Sequence, residues 1–298
     1  MDALLFALLC LIWSTTWSAI RICEQGFSPL WAAALRFVLS ALILVAVARK
    51  GSGANPRIAW WILPLAGLVN ALSYGLIFIA ERELTGGTTA VLVATNPFFM
   101  LGAAVAFGYE RASVRKVVGL LVGFAGVFVM VGAGLSSGRT MVIAMLQVLF
   151  AAAVLWPTYT VLMRRAGDSG WKPLQIAARF ILWTAVFLVA GAALIEGKPQ
   201  VVLTGPAVGA LLYLALIGTV LAWTLYTHLL SRLSMTVLST MTFIQPAGAL
   251  GIDWLLGERA PGHATQLGAA LILVGVTLSA VGRQAGRRPA AAPLEAEA

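Results

Sequence analysis

Long apolar runs, each bounded by charged or turn-forming residues, follow one another along almost the whole chain: 3–22, 29–48, 58–80, 84–108, 116–134, 140–163, 173–195, 203–228, 233–256 and 264–282. Each is about 20 residues long, the length an α-helix needs to cross the roughly 30 Å hydrocarbon layer of a bilayer. Membrane-spanning strands would be about ten residues long and would alternate in polarity, which these runs do not. The pattern predicts an all-α integral membrane protein of ten transmembrane helices.

Two of the runs share an interruption. Thr95-Asn96-Pro97-Phe98-Phe99 leads to Glu110-Arg111, and Ile244-Gln245-Pro246 leads to Glu258-Arg259. Proline has no N–H and crowds the carbonyl four residues back, so a bend is expected in both spans and the carbonyls of Val93 and Thr242 should lose their helical partners. In hydrocarbon such a carbonyl is tolerated only where protein or a water-filled cavity satisfies it. Pro97 and Pro246 are therefore expected to face a shared interior and to act as hinges.

Composition agrees with the pattern: 60% of residues are apolar, 10% are charged, and the mean hydropathy is +0.94. Soluble domains average about 45–50% apolar and about 25% charged residues. The net charge of +9 does not point to nucleic acid, because no polar basic domain is left to carry phosphate contacts. It records orientation instead. Thirteen of the twenty Lys and Arg fall on the N-terminal side of the spans and five on the other, while Arg36 and Arg179 lie within spans. The bias predicts cytoplasmic N- and C-termini and an even number of spans. Cys10 and Cys23 are separated by about 20 Å of helix, too far for a disulfide. The first run continues past a signal-peptide core and is expected to be retained as a span.

The chain also repeats itself. Trp13 corresponds to Trp156, Arg21 to Arg164 and Arg36-Phe37 to Arg179-Phe180, all 143 residues apart; Pro97 pairs with Pro246, Gly119 with Gly268 and Gly126 with Gly275, all at 149. Residues 1–134 and 140–282 thus form two five-helix repeats joined by a linker at 135–139. An Ala/Pro/Glu-rich cytoplasmic tail, 283–298, has no apolar face to bury and is expected to be disordered. An odd number of spans per repeat inverts the second copy, an arrangement with two faces that can open alternately around a central cavity. That architecture points to a transporter.

Ala34-Leu35-Arg36-Phe37, Ala178-Arg179-Phe180, the two proline spans, and Leu256-Gly257-Glu258-Arg259 followed by Gln266-Leu267-Gly268 and Val274-Gly275-Val276 carry a resemblance to a known family. The chain resembles the drug/metabolite transporter superfamily, in its ten-helix branch of two EamA-type domains, over about residues 5 to 282. The first half departs from the second, with Tyr109 where the later copy has Gly257 and Arg115-Lys116 leading into Gly119. The resemblance implies a bacterial inner-membrane exporter of small metabolites, amino acids among them. It identifies the fold better than the substrate, and aromatic or cationic drug-like compounds, moved with or without protons, are the alternative cargo.

Helical spacing within the spans nominates the residues around the cavity. The first span offers Trp13, Thr16 and Trp17, and the third offers Asn70, Tyr74 and Phe78 on one face. Thr95 and Asn96 precede the first hinge. Trp156, Tyr159 and Thr160 come from the sixth span, Thr219, Trp223, Tyr226 and Thr227 from the eighth, and Ser239, Thr242 and Gln245 from the ninth. Any one of these fits simple packing; similar residues in several spans suggest an aromatic wall with a few hydroxyls and amides.

Arg36 and Arg179 have two readings. A buried arginine is costly, at least ~2.5 kcal/mol at mid-span, and so is a functional candidate that could attract a substrate carboxylate. Alternatively the two bond freed carbonyls or snorkel to a span end. Asp253 is the single acid within a span and is expected to be solvated near its outer end; His228 and His263 are expected to be solvated as well. With no central carboxylate, obligatory proton coupling is not expected and transport reads as facilitative. No clustered aspartates, nucleophile–base pair or convergent His/Cys/carboxylate set suggests an enzyme, a cofactor or a metal site. The expected partners are a small-molecule substrate and the bilayer. Gly119, Gly123 and Gly126 provide a small-residue surface for close helix packing, and both a monomer and a homodimer are compatible with it.

Overall fold

The structure is a computed structural model and describes residues 1–48, 60–106, 113–167, 170–233, 238, 240–255, 257 and 262–280. Glu110-Arg111, Glu258-Arg259, Ser239 and the tail from 281 lie outside the described residues.

The apolar runs are helices: α1 Asp2–Glu24, α2 Pro29–Ala48, α3 Ile62–Ala80, α4 Gly86–Val93, α5 Asn96–Ala106, α6 Val114–Ser137, α7 Arg139–Phe150, α8 Trp156–Gly167, α9 Pro173–Ile195, α10 Gly205–Ala215, α11 Ala222–Leu230, α12 Gln245–Leu255 and α13 His263–Ala280. Among the described residues no strand occurs, and one isolated antiparallel bridge joins Phe27 to Val201. Six segments are long and apolar enough to cross a membrane: α1, α2, α3, Arg139–Gly167, α9 and Gly205–Leu230. The linker expected at 135–139 is shorter, because α6 continues to Ser137 and the turn falls on Gly138, whose φ of 115° favours a residue without a Cβ.

The fourth and ninth spans are broken rather than bent. α4 ends at Val93 and α5 starts at Asn96, with Pro97 as its second residue; α12 starts at Gln245, with Pro246 second, after a single tight turn at Thr240–Phe243. Proline is well suited to a helix start, where its absent N–H would have had no intrahelical partner.

Two other spans hold an irregularity that the sequence did not reveal. One π-helical turn, Ala151–Leu155, joins α7 to α8, and another, Leu216–Leu221, joins α10 to α11. Such turns widen the helix and leave carbonyls free for side chains.

Packing is densest between α6 and α13 and between α2 and α9. A Cβ on Gly126 would lie 2.5 Å from the Gly268 carbonyl, and one on Gly275 would strike the Gly119 carbonyl and the Gly123 backbone nitrogen. These two contacts exchange with each other under the 149-residue offset. The small-residue surface on α6 therefore meets its own counterpart in the same chain. Glu196, just after α9, accepts the N–H groups of Leu30 at 2.9 Å and Trp31 at 3.3 Å and the Ser28 hydroxyl at 2.7 Å. A carboxylate there complements the positive end of α2.

Candidate functional site

A small cavity opens where α5, α8, α11 and the turn before α12 converge. Asn96, Met100, Trp156, Tyr159, Thr160, Tyr226 and Met241 line it, and its volume is about 20 Å³. That is room for one water, so the described residues have closed around the space.

The lining is built by polar groups that hold one another. Asn96 Nδ2 donates to the Ala152 carbonyl at 2.8 Å, within the first π-helical turn. Thr160 Oγ1 and the Tyr226 hydroxyl are 3.0 Å apart. Trp156 Nε1 donates to Ser73 Oγ at 2.6 Å, and the Trp156 ring stacks on Trp17 with centroids 6.4 Å apart. Trp17 Nε1 in turn donates to Gln245 Oε1 at 3.2 Å, linking α1 to the start of α12.

An aromatic cluster adjoins the cavity through Tyr159 and Tyr226. Trp223 lies at its centre, with ring centroids 4.8 Å from Phe180, 5.1 Å from Tyr226, and 5.7 Å from both Tyr159 and Trp13. Trp223 is buried and, among the described residues, its indole N–H has no hydrogen-bond acceptor. Trp13 Nε1 reaches the Gly218 carbonyl at 3.4 Å.

The structure thus brings Asn96, Trp156 and Tyr159 to the cavity, keeps Trp17 and Gln245 one contact away, and puts Trp13 and Trp223 in the neighbouring cluster. Thr160 and Tyr226, also nominated, line the cavity as well, whereas Asn70, Tyr74, Phe78 and Thr95 make their contacts elsewhere. Asn70 Nδ2 donates to Thr184 Oγ1 at 3.1 Å, against α9. Tyr74 packs on Phe37 and Phe78, and the Thr95 hydroxyl donates to the Leu92 carbonyl at 2.6 Å. Thr242 is buried. Met100, Met241 and Ser73 were not singled out, since a Met or Ser inside an apolar run has no distinguishing neighbour in the sequence.

Arg36 is buried and holds the second π-helical turn. Its Nε donates to Thr219 Oγ1 at 2.7 Å and its Nη2 to the Gly218 carbonyl at 3.0 Å, while its guanidinium lies 5.1 Å from the Tyr74 ring centroid. Thr219 Oγ1 in turn donates a hydrogen bond to the Leu214 carbonyl at 2.8 Å. Arg179 lies 3.9 Å over the Trp171 ring and donates to the Gln175 carbonyl at 3.3 Å. The two arginines that match in sequence are held in different ways.

At the end of the bundle marked by the α1 terminus, the packing is tight. Asp253 is buried, accepting the Gly87 N–H at 2.6 Å and the Ser18 hydroxyl at 3.1 Å. This corrects the expectation of a solvated Asp253: the N-terminus of α4 supplies the Gly87 N–H and a positive potential, and α1 adds the Ser18 hydroxyl, which together keep a carboxylate buried. A Cβ on Gly86 would lie 3.0 Å from the Ser18 nitrogen, so α4 rests directly on α1. Arg21 Nη1 donates to the Leu84 carbonyl at 2.7 Å.

Glu81, in the connection between α3 and α4, escaped notice in the sequence because it follows a span and precedes Arg82 and Glu83. In the structure its side chain is buried and, among the described residues, neither carboxyl oxygen has a hydrogen-bond donor. Thr89 lies beside it, but its hydroxyl donates to the Thr85 carbonyl at 3.1 Å. Burial pushes the Glu81 carboxyl well above the usual carboxylate range; the charges of Glu24 and Asp253 add to the rise, and Arg21 and Thr89 oppose it. Among the described residues no three His, Cys, Asp or Glu side chains converge as a metal site would require.

The same helical framework occurs in known proteins. The uncharacterized transporter YvbV of Bacillus subtilis is 30% identical over 255 residues, covering 82% of this chain and 80% of its own. The uncharacterized inner membrane transporter YedA of Escherichia coli K12 is 27% identical, covering 94% and 90%. A Salmonella typhimurium protein named "Probable amino-acid metabolite efflux pump" is 22% identical, covering 94% and 95%. A crystal structure aligns with a TM-score of 0.67 at 23% identity, over 93% of this chain and 96% of that one, which shows a shared fold. The EamA-like transporter family matches residues 1–132 and 143–281, nearly all the helices described above, and this multi-pass membrane protein belongs to that family of transporters.

Proposed function

We propose that the protein exports small metabolites, amino acids foremost, across a bacterial inner membrane by alternating access between two inverted five-helix halves. The observation that carries this reading is the cavity between the two broken spans, lined by the amide of Asn96, the hydroxyls of Tyr159, Thr160 and Tyr226, and the indole of Trp156. Amides and hydroxyls suit the polar head of a small zwitterion, and the aromatic walls suit its side chain. In its collapsed form the cavity excludes such a molecule, so substrate enters only when one end of the bundle opens. Gly87 and Asp253 close the end we assign to the outside, and α5 and α8 separate on the cytoplasmic side to admit substrate. Pro97 and Pro246, each starting a half-helix, are the hinges. Two relatives named amino-acid metabolite efflux pumps, 22% and 24% identical, favour this cargo.

The aromatic cluster around Trp223 favours a second reading, export of aromatic or cationic compounds, because stacked rings attract cations through their faces. Counterflow in liposomes containing the purified protein separates the two. Labelled neutral amino acids are expected to exchange, and a lipophilic cation such as tetraphenylphosphonium is not. Exchange of the cation alone reverses the assignment.

A further inference from the structure

Glu81 is the buried acid that the transport reading leaves without a role. An ionised carboxylate needs donors for its lone pairs or an adjacent cation, and among the described residues both oxygens of Glu81 lack a donor. The neighbouring polar groups are committed elsewhere: Arg21 of α1 reaches the Leu84 carbonyl, Thr89 of α4 the Thr85 carbonyl, and Asp253 of α12 accepts from Gly87 and Ser18. Glu24 of α1 is a second acid on the same side, with one carboxylate oxygen buried and unbonded. Arg36 of α2 lies deeper and is bound to Thr219 and Gly218. Arg82 and Glu83, the flanking residues, are exposed.

We propose that Glu81 is a proton-binding site whose occupied, neutral form holds this end of the bundle shut. The proposal rests on the reading that this end opens during transport. When α4 and α12 draw away from α1, water reaches the carboxyl, which then ionises as an ordinary solvated carboxylic acid does and releases its proton to that water. Closing takes the proton back from the same side. No net proton crosses the membrane, and the group biases the two conformations without driving transport.

The sign follows from the raised affinity of the closed form. The bias toward closure is fully present below the open-state value and is lost as pH rises through the closed-state value, with a slope of at most about tenfold in the open-to-closed ratio per pH unit.

Two measurements on the full-length protein in lipid nanodiscs test this, and neither depends on transport. Infrared spectra near neutral pH should contain a protonated-carboxyl carbonyl band that weakens as pH rises. In a Glu24→Gln background, which removes the other acid at this end with an unbonded carboxyl oxygen, Glu81→Gln should remove it, while Asp253→Asn and Glu83→Gln should leave it. Buried Cys23, at the same end of α1, reports opening through its labelling by N-ethylmaleimide in a Cys10→Ser background. At alkaline pH, Glu81→Gln should slow labelling relative to native Glu81, because glutamine mimics the protonated acid; comparison at one pH cancels the thiol's own titration. Absence of the band, its survival when Glu81→Gln is added to Glu24→Gln, or equal labelling of the two proteins overturns the proposal. If Glu81→Gln does not fold, the presence and pH dependence of the band in Glu24→Gln decide the matter alone. Counterflow failure with both results intact would defeat the transport reading and leave the proton site standing.

Discussion

Asp253 Oδ2 accepts the backbone N–H of Gly87 at 2.6 Å across 166 residues of sequence, so the last turn of one broken span caps the first turn of the other. The same carboxylate takes the Ser18 hydroxyl, and three helices meet on one side chain. Asp253→Ala removes the acceptor from two buried donors, a loss of about 1.5–3 kcal/mol for hydrogen bonds to a charged group. Amide exchange over residues 84–93 should accelerate in that variant, measured by mass spectrometry in lipid nanodiscs. Unchanged exchange would mean that α4 is held by its apolar contacts alone.

Arg36 supports a π-helical turn, so Arg36→Gln should act first on stability. Its loss leaves the Gly218 carbonyl and Thr219 hydroxyl with fewer partners, an effect of about 1.5–3 kcal/mol. A drop in the thermal midpoint of the purified protein is expected, with transport falling in proportion to folded protein for carboxylated and uncharged substrates alike. A selective loss of carboxylated substrates would restore the substrate-attraction role.

The α6–α13 contact leaves no room for side chains. Gly126→Val should separate the helices, since even a Cβ there would meet the Gly268 carbonyl at 2.5 Å and the Ile272 nitrogen at 2.8 Å. Gly132, on the same helix with open space around its Cα, should accept alanine with a gain of up to about 1 kcal/mol. Size-exclusion profiles of detergent-solubilised protein distinguish the two outcomes: aggregation for Gly126→Val and a native peak for Gly132→Ala.

Pro97 and Pro246 each occupy the second residue of a half-helix, where alanine is sterically allowed. Pro97→Ala and Pro246→Ala should therefore fold, and by letting the preceding helix extend across the break they should slow exchange across the membrane. Counterflow rates that match the native protein in both variants would remove the hinge role.

The alternation of apolar runs with charge was enough to place the helical runs and the two prolines at which a span is interrupted, because each follows from local requirements: hydrocarbon thickness, backbone hydrogen bonding and the missing N–H of proline. Asn96, Trp156 and Tyr159 could be nominated for the same reason, as polar or aromatic residues that hydrocarbon would not favour. Tertiary structure alone decided the rest. Asp253 and Glu81 look alike as acids near span ends, yet Gly87 of α4 and Ser18 of α1 supply one with donors, while among the described residues the other has none. Arg36 and Arg179 match across the repeat, yet only Arg36 finds a π-helical turn to bond. Asn70 has the composition of a cavity residue but meets Thr184 of α9 instead. Such differences depend on which groups from distant segments come within about 3 Å, and burial makes that distance decide whether a polar atom is satisfied.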